Sequence, residues 1–326
     1  MKPANENNVF KELSRVWAYK WLVFLLIFSV IPILAPSKYQ VHLANEVLIM
    51  SLFAVSFNLL FGYTGMLSFG QAAFYGIGAY SIGILMTKTN CSFSTAIIIG
   101  IVLSAIVALL LGFLCIRVKG VFFTMLSLAF GQLFWGVVSK WYQFTGGDNG
   151  IQGISLPDFF MSAYTYYYFS LIIIFISLYL CSRIVRSPFG CIIKCICKNP
   201  ERTEFIGIRI KRYQLGIYII SASFTGLAGA LFAGYERSIH PNLMLWTKSG
   251  EVILMSITGG FSSFFGPIFG AALILVIEDV IGARTQFWEI CIGGVMLLVV
   301  LLFPNGIAGS GYPYLVKIWR KFGVRN

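Results

Sequence analysis

Residues 58–80 read NLLFGYTGMLSFGQAAFYGIGAY, and this stretch, from Asn58 to Tyr80, organises the reading of the whole chain. It lies inside apolar sequence, yet Gly62, Gly65, Gly70, Gly76 and Gly78 punctuate it, with Asn58, Thr64, Ser68 and Gln71 interleaved. An unsatisfied polar group in hydrocarbon costs several kcal/mol, so such a segment faces protein or a wet cavity rather than lipid. Glycines allow close helix approach and a local break, and broken helices at membrane depth mark solute sites in many transporters. The same glycines also suit a small-residue packing seam with no solute near it. Both readings stand on composition.

The surrounding chain supports a membrane setting. Hydrophobic residues make up 58% of the 326 positions and charged residues 11%, which excludes an ordinary soluble domain. The expectation is an all-α, polytopic transmembrane bundle of about 8–10 segments, some short or broken at glycines. Its segments are placed at 17–35, 45–62, 67–87, 94–116, 121–139, 164–184, 214–235, 250–264, 267–283 and 286–303. Segments eight and nine are interrupted by Gly259-Gly260 and Gly266-Pro267, and are either crossings or re-entrant. Residues 1–20 form a polar N-terminal segment, 21–310 a single membrane domain and 311–326 a basic tail.

Charge orients the bundle. With the N-terminus inside, the cytoplasmic ends hold Lys2, Lys11, Arg15, Lys20, Arg117 and Lys119, the eight cations from Arg183 to Arg212, and the four from Lys317 to Arg325. Lys38, Lys88, Lys140, Arg237, Lys248 and Arg284 fall outside. This positive-inside bias puts both termini in the cytoplasm and accounts for the net charge of +12 without nucleic acid. Trp17, Trp21, Trp141, Tyr142 and the Tyr164–Tyr168 run fit interface belts. Segments four and six read as lipid-facing. Segments three, five and seven to nine, with polar residues such as Gln132 and Thr225, read as packed interior. Two glycine-rich regions, one per half, invite an inverted-repeat reading.

Two loops carry further signals. Thr145 to Asp158 is glycine-rich, with tight turns at Asp148 and Asn149, and is either an outer docking surface or an ordinary turn. In the basic loop 186–213, Pro188 stops the sixth span, Gly190 allows a turn, and Cys191–Cys197 form a short surface helix. Asn199 caps a second unit with Pro200 at its first position, Glu201 at its positive end and Gly207 as its stop. This loop either lies on anionic lipid or docks a partner. Ser249 and Glu251 are placed to cap segment eight, with contact to a solute amine as the alternative, while Glu278, Asp279 and Glu289 lie near the outer face.

Other chemistry is missing. The seven cysteines and two histidines show no metal-site spacing. No phosphate-binding Gly-x-x-x-x-Gly-Lys loop and no nucleophile elbow occurs. The expectation is a chain that is not an enzyme and carries no cofactor, energised from outside its own sequence.

Asn58-x-x-x-Gly62-x-x-Gly65-x-x-Ser68-x-Gly70, followed by Phe74-x-x-x-Gly78-Ala79-Tyr80, resembles the signature of bacterial ABC-importer permeases for branched-chain amino acids. Thr145-Gly146-Gly147-Asp148-Asn149-Gly150 and the loop from Arg186-Ser187-Pro188-Phe189-Gly190 to Gly207-Ile208 are similar to the M-type subunit. So are Ser249-Gly250-Glu251 through Met255, Gly259-Gly260 to Gly266-Pro267, and Pro304-x-Gly306-x-x-Gly309. The resemblance implies an inner-membrane permease with four further kinds of contact. These are a second homologous permease, two cytoplasmic ATP-binding subunits, a periplasmic solute-binding protein and membrane lipid. Asn58, Gly62, Gly65, Ser68, Gly70, Gln71, Gly78, Gly259, Gly260 and Gly266 become candidates for the solute path. Gly190, Asn199, Pro200, Glu201 and Gly207 become candidates for ATPase coupling. The alternatives are a permease of the same family for urea, amides or another small polar solute, and a self-sufficient secondary transporter.

Overall fold

The computed structural model describes residues 21, 25–32, 37–89, 91–282, 284, 288–303 and 306. Segments 1–20 and 311–326, together with Pro304 and Gly309, lie outside the described residues. The fold is all-α. Residues 25–32 form α1, followed by α2 (Lys38–Thr64), α3 (Gln71–Lys88), α4 (Phe93–Cys115) and α5 (Val121–Lys140). A short turn, α6 (Tyr142–Thr145), precedes α7 (Ala163–Arg186). The basic loop carries α8 (Pro188–Lys198) and α9 (Pro200–Phe205) before α10 (Ile210–Glu236). The chain then runs through α11 (Trp246–Gly259), α12 (Gly266–Gly282) and α13 (Trp288–Leu302). Among the described residues, five helices, α2, α4, α5, α7 and α10, are long and apolar enough to cross a membrane.

The centre is α3, buried at every position from Gln71 to Gly83 and packed between α4 and α10, with Phe53 of α2 stacked on its Tyr75. The reason is steric. A Cβ on Gly78 would lie 1.9 Å from the Gly226 carbonyl oxygen of α10, and one on Gly229 would lie 1.8 Å from Tyr75 O. Without side chains at these points, the two backbones touch and dispersion contacts run the length of the seam. On α4, Gly100, Ser104, Ala108 and Gly112 recur every four residues and form the buried stripe, while Ile98, Val102, Leu110 and Phe113 face outward. Segment four is thus exposed on one side only.

Segment five departs from expectation. α5 is mostly open, with Phe122 73% and Met125 64% exposed, and a Cβ on Gly136 would meet nothing within 4 Å. Its buried positions are Phe123, Ser127, Gly131 and Val138, a single narrow stripe. Trp21 is a second correction. It is 4% exposed and sits among Phe175, Tyr179, Phe264 and Phe265 rather than in an interface belt. Tyr166 and Tyr167 are likewise buried, whereas Trp141, Tyr142, Tyr164 and Tyr168 are exposed as an interface requires.

α11 and α12 form a hairpin whose arms meet glycine to glycine. A Cβ on Gly259 would lie 1.8 Å from Gly266 O, and one on Gly270 would lie 1.8 Å from Met255 O. The hairpin tip reaches Gly62, one turn from the end of α2, where a Cβ would lie 2.6 Å from Phe261 O. Beyond α13 the chain returns to set Gly306 against Gly260. At the face opposite α8 and α9, Thr145 Oγ1 donates to Val138 O at 2.6 Å. Gly146, Gly147, Gly150 and Gly153 take positive φ. The strand Ile151–Gln152 (β1) pairs antiparallel with Ser238–Ile239 (β2).

Candidate functional site

α2 stops at Gly65, whose φ of 71° lets its N–H reach Phe61 O at 2.9 Å while Met66 N reaches Leu60 O at 3.2 Å. This is the glycine-dependent helix ending in which the last carbonyls are satisfied by a left-handed residue. Residues 65–70 are therefore not helical, and segment three begins at Gln71 rather than at 67. The freed backbone is met by α5. Thr124 Oγ1 donates to Leu67 O at 2.9 Å, and Phe69 N donates to Ser127 Oγ at 3.2 Å. A Cβ on Gly70 would lie 2.6 Å from Ser127 O, so the break sits directly on α5. Thr124 and Ser127 escaped the sequence reading because a hydroxyl on an apolar helix ordinarily bonds its own preceding turn.

Below the break, a polar network crosses three helices. Gln71 Nε2 donates to Ser221 Oγ at 3.3 Å, and Gln71 Oε1 accepts from Thr225 Oγ1 at 3.2 Å. Ser56 Oγ lies 2.7 Å from Thr225 Oγ1, and Ser221 Oγ donates to Ser56 O at 2.6 Å. These groups are fully buried, and an amide so satisfied pins the register of α2, α3 and α10. Ser68 is also buried, its Oγ accepting from Gly70 N at 3.3 Å. Asn58 is 1% exposed and has no partner for either side-chain polar atom. It faces Gly62, on which a Cβ would lie 2.2 Å from Asn58 Oδ1.

The structure thus gathers the candidate path residues into two breaks, not one. Gly65, Ser68, Gly70 and Gln71 belong to the first, against α5. Gly62 meets Phe261 at the second, the α11–α12 tip that also holds Gly259, Gly260 and Gly266, and Asn58 lies one turn before Gly62. Gly78 sits in the α3–α10 seam, away from both.

Glu251 does not cap α11, which starts at Trp246. It accepts from Lys248 Nζ at 2.6 Å, one turn earlier in the helix. Ser249 Oγ accepts from Ala72 N at 2.9 Å instead, which satisfies a first-turn donor of α3 from another helix. Asp279 accepts a hydrogen bond from the Tyr39 hydroxyl, and the Glu289 side chain lies outside the described residues.

At the opposite end from Lys38, Ser187 Oγ caps α8 by accepting from Gly190 N at 3.3 Å. Gly190 is helical and makes no turn. It is glycine because a Cβ would lie 2.3 Å from Val185 O, where α8 folds back on the end of α7. Asn199 Oδ1 accepts from Arg202 N at 3.0 Å, with Pro200 at the first position of α9 and Glu201 in its first turn. Gly207, at φ 84° with open space around it, follows the helix end. Two side chains the sequence reading passed over stand out here: Phe205 is 90% and Ile206 74% exposed, side by side at the tip.

The break and the loop helices share one cavity. A groove of about 800 Å3 is lined by Thr64, Gly65, Met66 and Leu67 on one wall, and by Ile196, Cys197, Pro200 and Glu204 on another. Cys197 Sγ would lie 3.5 Å from a Cβ on Gly65, and burial pushes its thiol pKa up while Lys198 pulls it down.

This arrangement can now be set beside known proteins. The family model for the branched-chain amino acid transport system permease component matches residues 40–301. The chain is 26% identical to the high-affinity branched-chain amino acid transport system permease protein LivM of Escherichia coli K12, over 90% of this chain and 76% of that one. It is 24% identical to the probable branched-chain amino acid transport permease protein LivM of Methanocaldococcus jannaschii, over 78% and 88%. It is also 25% identical to the probable LivH permease of the same organism, over 46% and 49%. No solved structure matches the chain. The chain is a multi-pass membrane protein, and it belongs to the branched-chain amino acid transport system permease family.

Proposed function

We propose that this chain is one of two permease subunits of a bacterial ABC importer for branched-chain or related amino acids. In this reading it lies in the inner membrane as a single membrane domain, with both termini in the cytoplasm. A second homologous permease stands beside it, two ATPases dock on the α8–α9 face, and a periplasmic binding protein delivers solute to the opposite face. The observation that carries the reading is α9: a capped helix at the basic end, bearing two bare apolar side chains and sharing a groove with a helix break. Exposed adjacent aromatic and aliphatic side chains supply a small hot spot for a partner's pocket.

The solute path in this proposal runs along the open face of α5, between this chain and the second permease. Gly65, Ser68, Gly70 and Gln71 hold the break that backs α5. Asn58, Gly62, Gly259, Gly260 and Gly266 hold the second break, so these residues permit the path by shaping its wall.

Docking is tested by replacing the tip. Phe205→Asp with Ile206→Asp, and separately Glu201→Arg and Gly207→Val, are expected to cut co-purification of the ATPase at least tenfold while leaving permease abundance unchanged. Retention of the ATPase by all three variants overturns the docking assignment. Orientation is tested separately, in a background with the native cysteines replaced. Cysteine at exposed Ser155 is expected to react with an impermeant maleimide in intact cells, and cysteine at exposed Glu201 only after lysis. Asn199 is unsuitable for this probe because it caps α9. The reverse labelling pattern overturns the topology.

A further inference from the structure

On the face opposite α8 and α9, the ends of α2, α7 and α10 enclose a cavity of about 450 Å3, within the roughly 300–1,000 Å3 of small-molecule sites. Its wall carries both signs of charge. Lys38 from α2 and Arg237 from the end of α10 are cationic, and Glu236 beside them is anionic. Among the described residues, Lys38 and Glu236 form no ion pair. Val41, Phe160 and Tyr166 supply an apolar side, and His42 Nδ1 lies 3.0 Å from the Tyr235 hydroxyl.

The floor is Asn45, 2% exposed. Ser170 Oγ is bonded to its Oδ1 and also lies 2.9 Å from Tyr167 O, while Asn45 Nδ2 has no partner. A hydroxyl has one proton, so Ser170 donates either to the amide or to Tyr167 O, and in the second case it accepts from the turned amide. Whichever way the amide is turned, one polar end remains unmatched. An unmatched buried amide end costs about 1–3 kcal/mol, and Asn45 is the polar residue at the floor of this cavity. The rim is held in an unusual conformation as well. Arg237 sits at φ 57°, the positive-φ non-glycine residue of the described chain, anchored by its N–H to Ala233 O at 3.0 Å and by Nη2 to Met161 O at 3.2 Å.

We propose that this cavity binds a free α-amino acid on the outer face of this chain alone, apart from the path between two permeases. Lys38 and Arg237 face the carboxylate, Glu236 the ammonium, Asn45 a remaining polar atom, and Val41, Phe160 and Tyr166 the side chain. The importer reading supplies only the choice of probe; the opposed charges and the unmatched amide carry the site. A phosphatidylethanolamine headgroup offers the same pairing of ammonium and oxyanion, so the experiment separates the two sources.

The full chain, without ATPase or binding protein, is placed in phosphatidylglycerol nanodiscs, and binding of radiolabelled leucine is measured by scintillation proximity. The expected result is saturable binding, weakened at least tenfold by Glu236→Gln, with 4-methylpentanoate, which lacks the amine, failing to compete. Glu236 is exposed, so this variant tests the site without disturbing the core. Absence of saturable binding, or binding unchanged by Glu236→Gln, overturns the proposal. So does the finding that phosphatidylethanolamine co-purifies with the wild type but not with Glu236→Gln while leucine does not bind, which gives the cavity to lipid. Uptake by cells carrying the full set of subunits is followed in parallel, so failure of the importer reading is seen independently of this site.

Discussion

Gly78→Leu is expected to remove the folded protein from the membrane rather than to leave an assembled but blocked permease. A Cβ at position 78 would lie 1.9 Å from Gly226 O and 2.8 Å from Gly226 Cα, and both are backbone atoms that no rotamer change can move. Relief requires α3 and α10 to separate, and Gly226 is itself pinned, since a Cβ there would lie 2.2 Å from Ser104 Oγ on α4. The separation also stretches the Gln71 bonds to Ser221 and Thr225. Overpacking inside a core costs about 1–3 kcal/mol when side chains can yield, and more where only backbone faces backbone. Against a total stability of about 5–15 kcal/mol, a cost beyond ~4 kcal/mol leaves little folded protein. Membrane abundance should fall at least tenfold, measured by immunoblot of washed membranes beside uptake. Normal abundance with uptake abolished would place Gly78 on the path instead of in the seam.

Gly65→Val should behave in the opposite way. Nothing crowds this position, since the nearest atom to a Cβ is Cys197 Sγ at 3.5 Å, yet φ is 71°. The left-handed region costs a side-chain-bearing residue about 1–2 kcal/mol, and a β-branched one sits there rarely. That cost is small against the whole bundle, so the chain folds and keeps its ATPase. It is large for the break itself, whose hydrogen bonds to α5 are one each with Thr124 and Ser127. The expected outcome is wild-type abundance and ATPase association, with uptake per ATP hydrolysed down at least tenfold in proteoliposomes. Unchanged coupling in this variant would show that the break at 65–70 plays no part in transmission.

Together the two glycines show how far the sequence reaches. Polar residues and glycines inside apolar sequence determine a broken, protein-facing segment, because hydrocarbon tolerates neither unpaired backbone nor bare amides. Lys and Arg asymmetry determines an expected orientation. Ser187-Pro188 and Asn199-Pro200 determine where α8 and α9 begin, because capping is local and needs no tertiary partner. Helix placement was legible for the same reason: hydrophobic length and turn chemistry act over a few residues.

What each glycine is for was decided only by the tertiary structure. Gly65 is required by its own backbone angle, and Gly78 and Gly190 by backbone that approaches from elsewhere. A glycine reads the same in all three roles, since the determining atoms belong to distant residues. α5 shows the limit from the other side: Gly131, Gln132 and Gly136 suggested interior, yet only Gly131 is buried. Glu251 suggested a cap until Lys248 was found one turn earlier in the same helix. The sequence determines that apolar helices form and, at Ser187 and Asn199, where they begin, because these follow from local propensity, capping and solvation. Which faces meet, and which one is left open, depends on three-dimensional closeness that sequence separation does not encode.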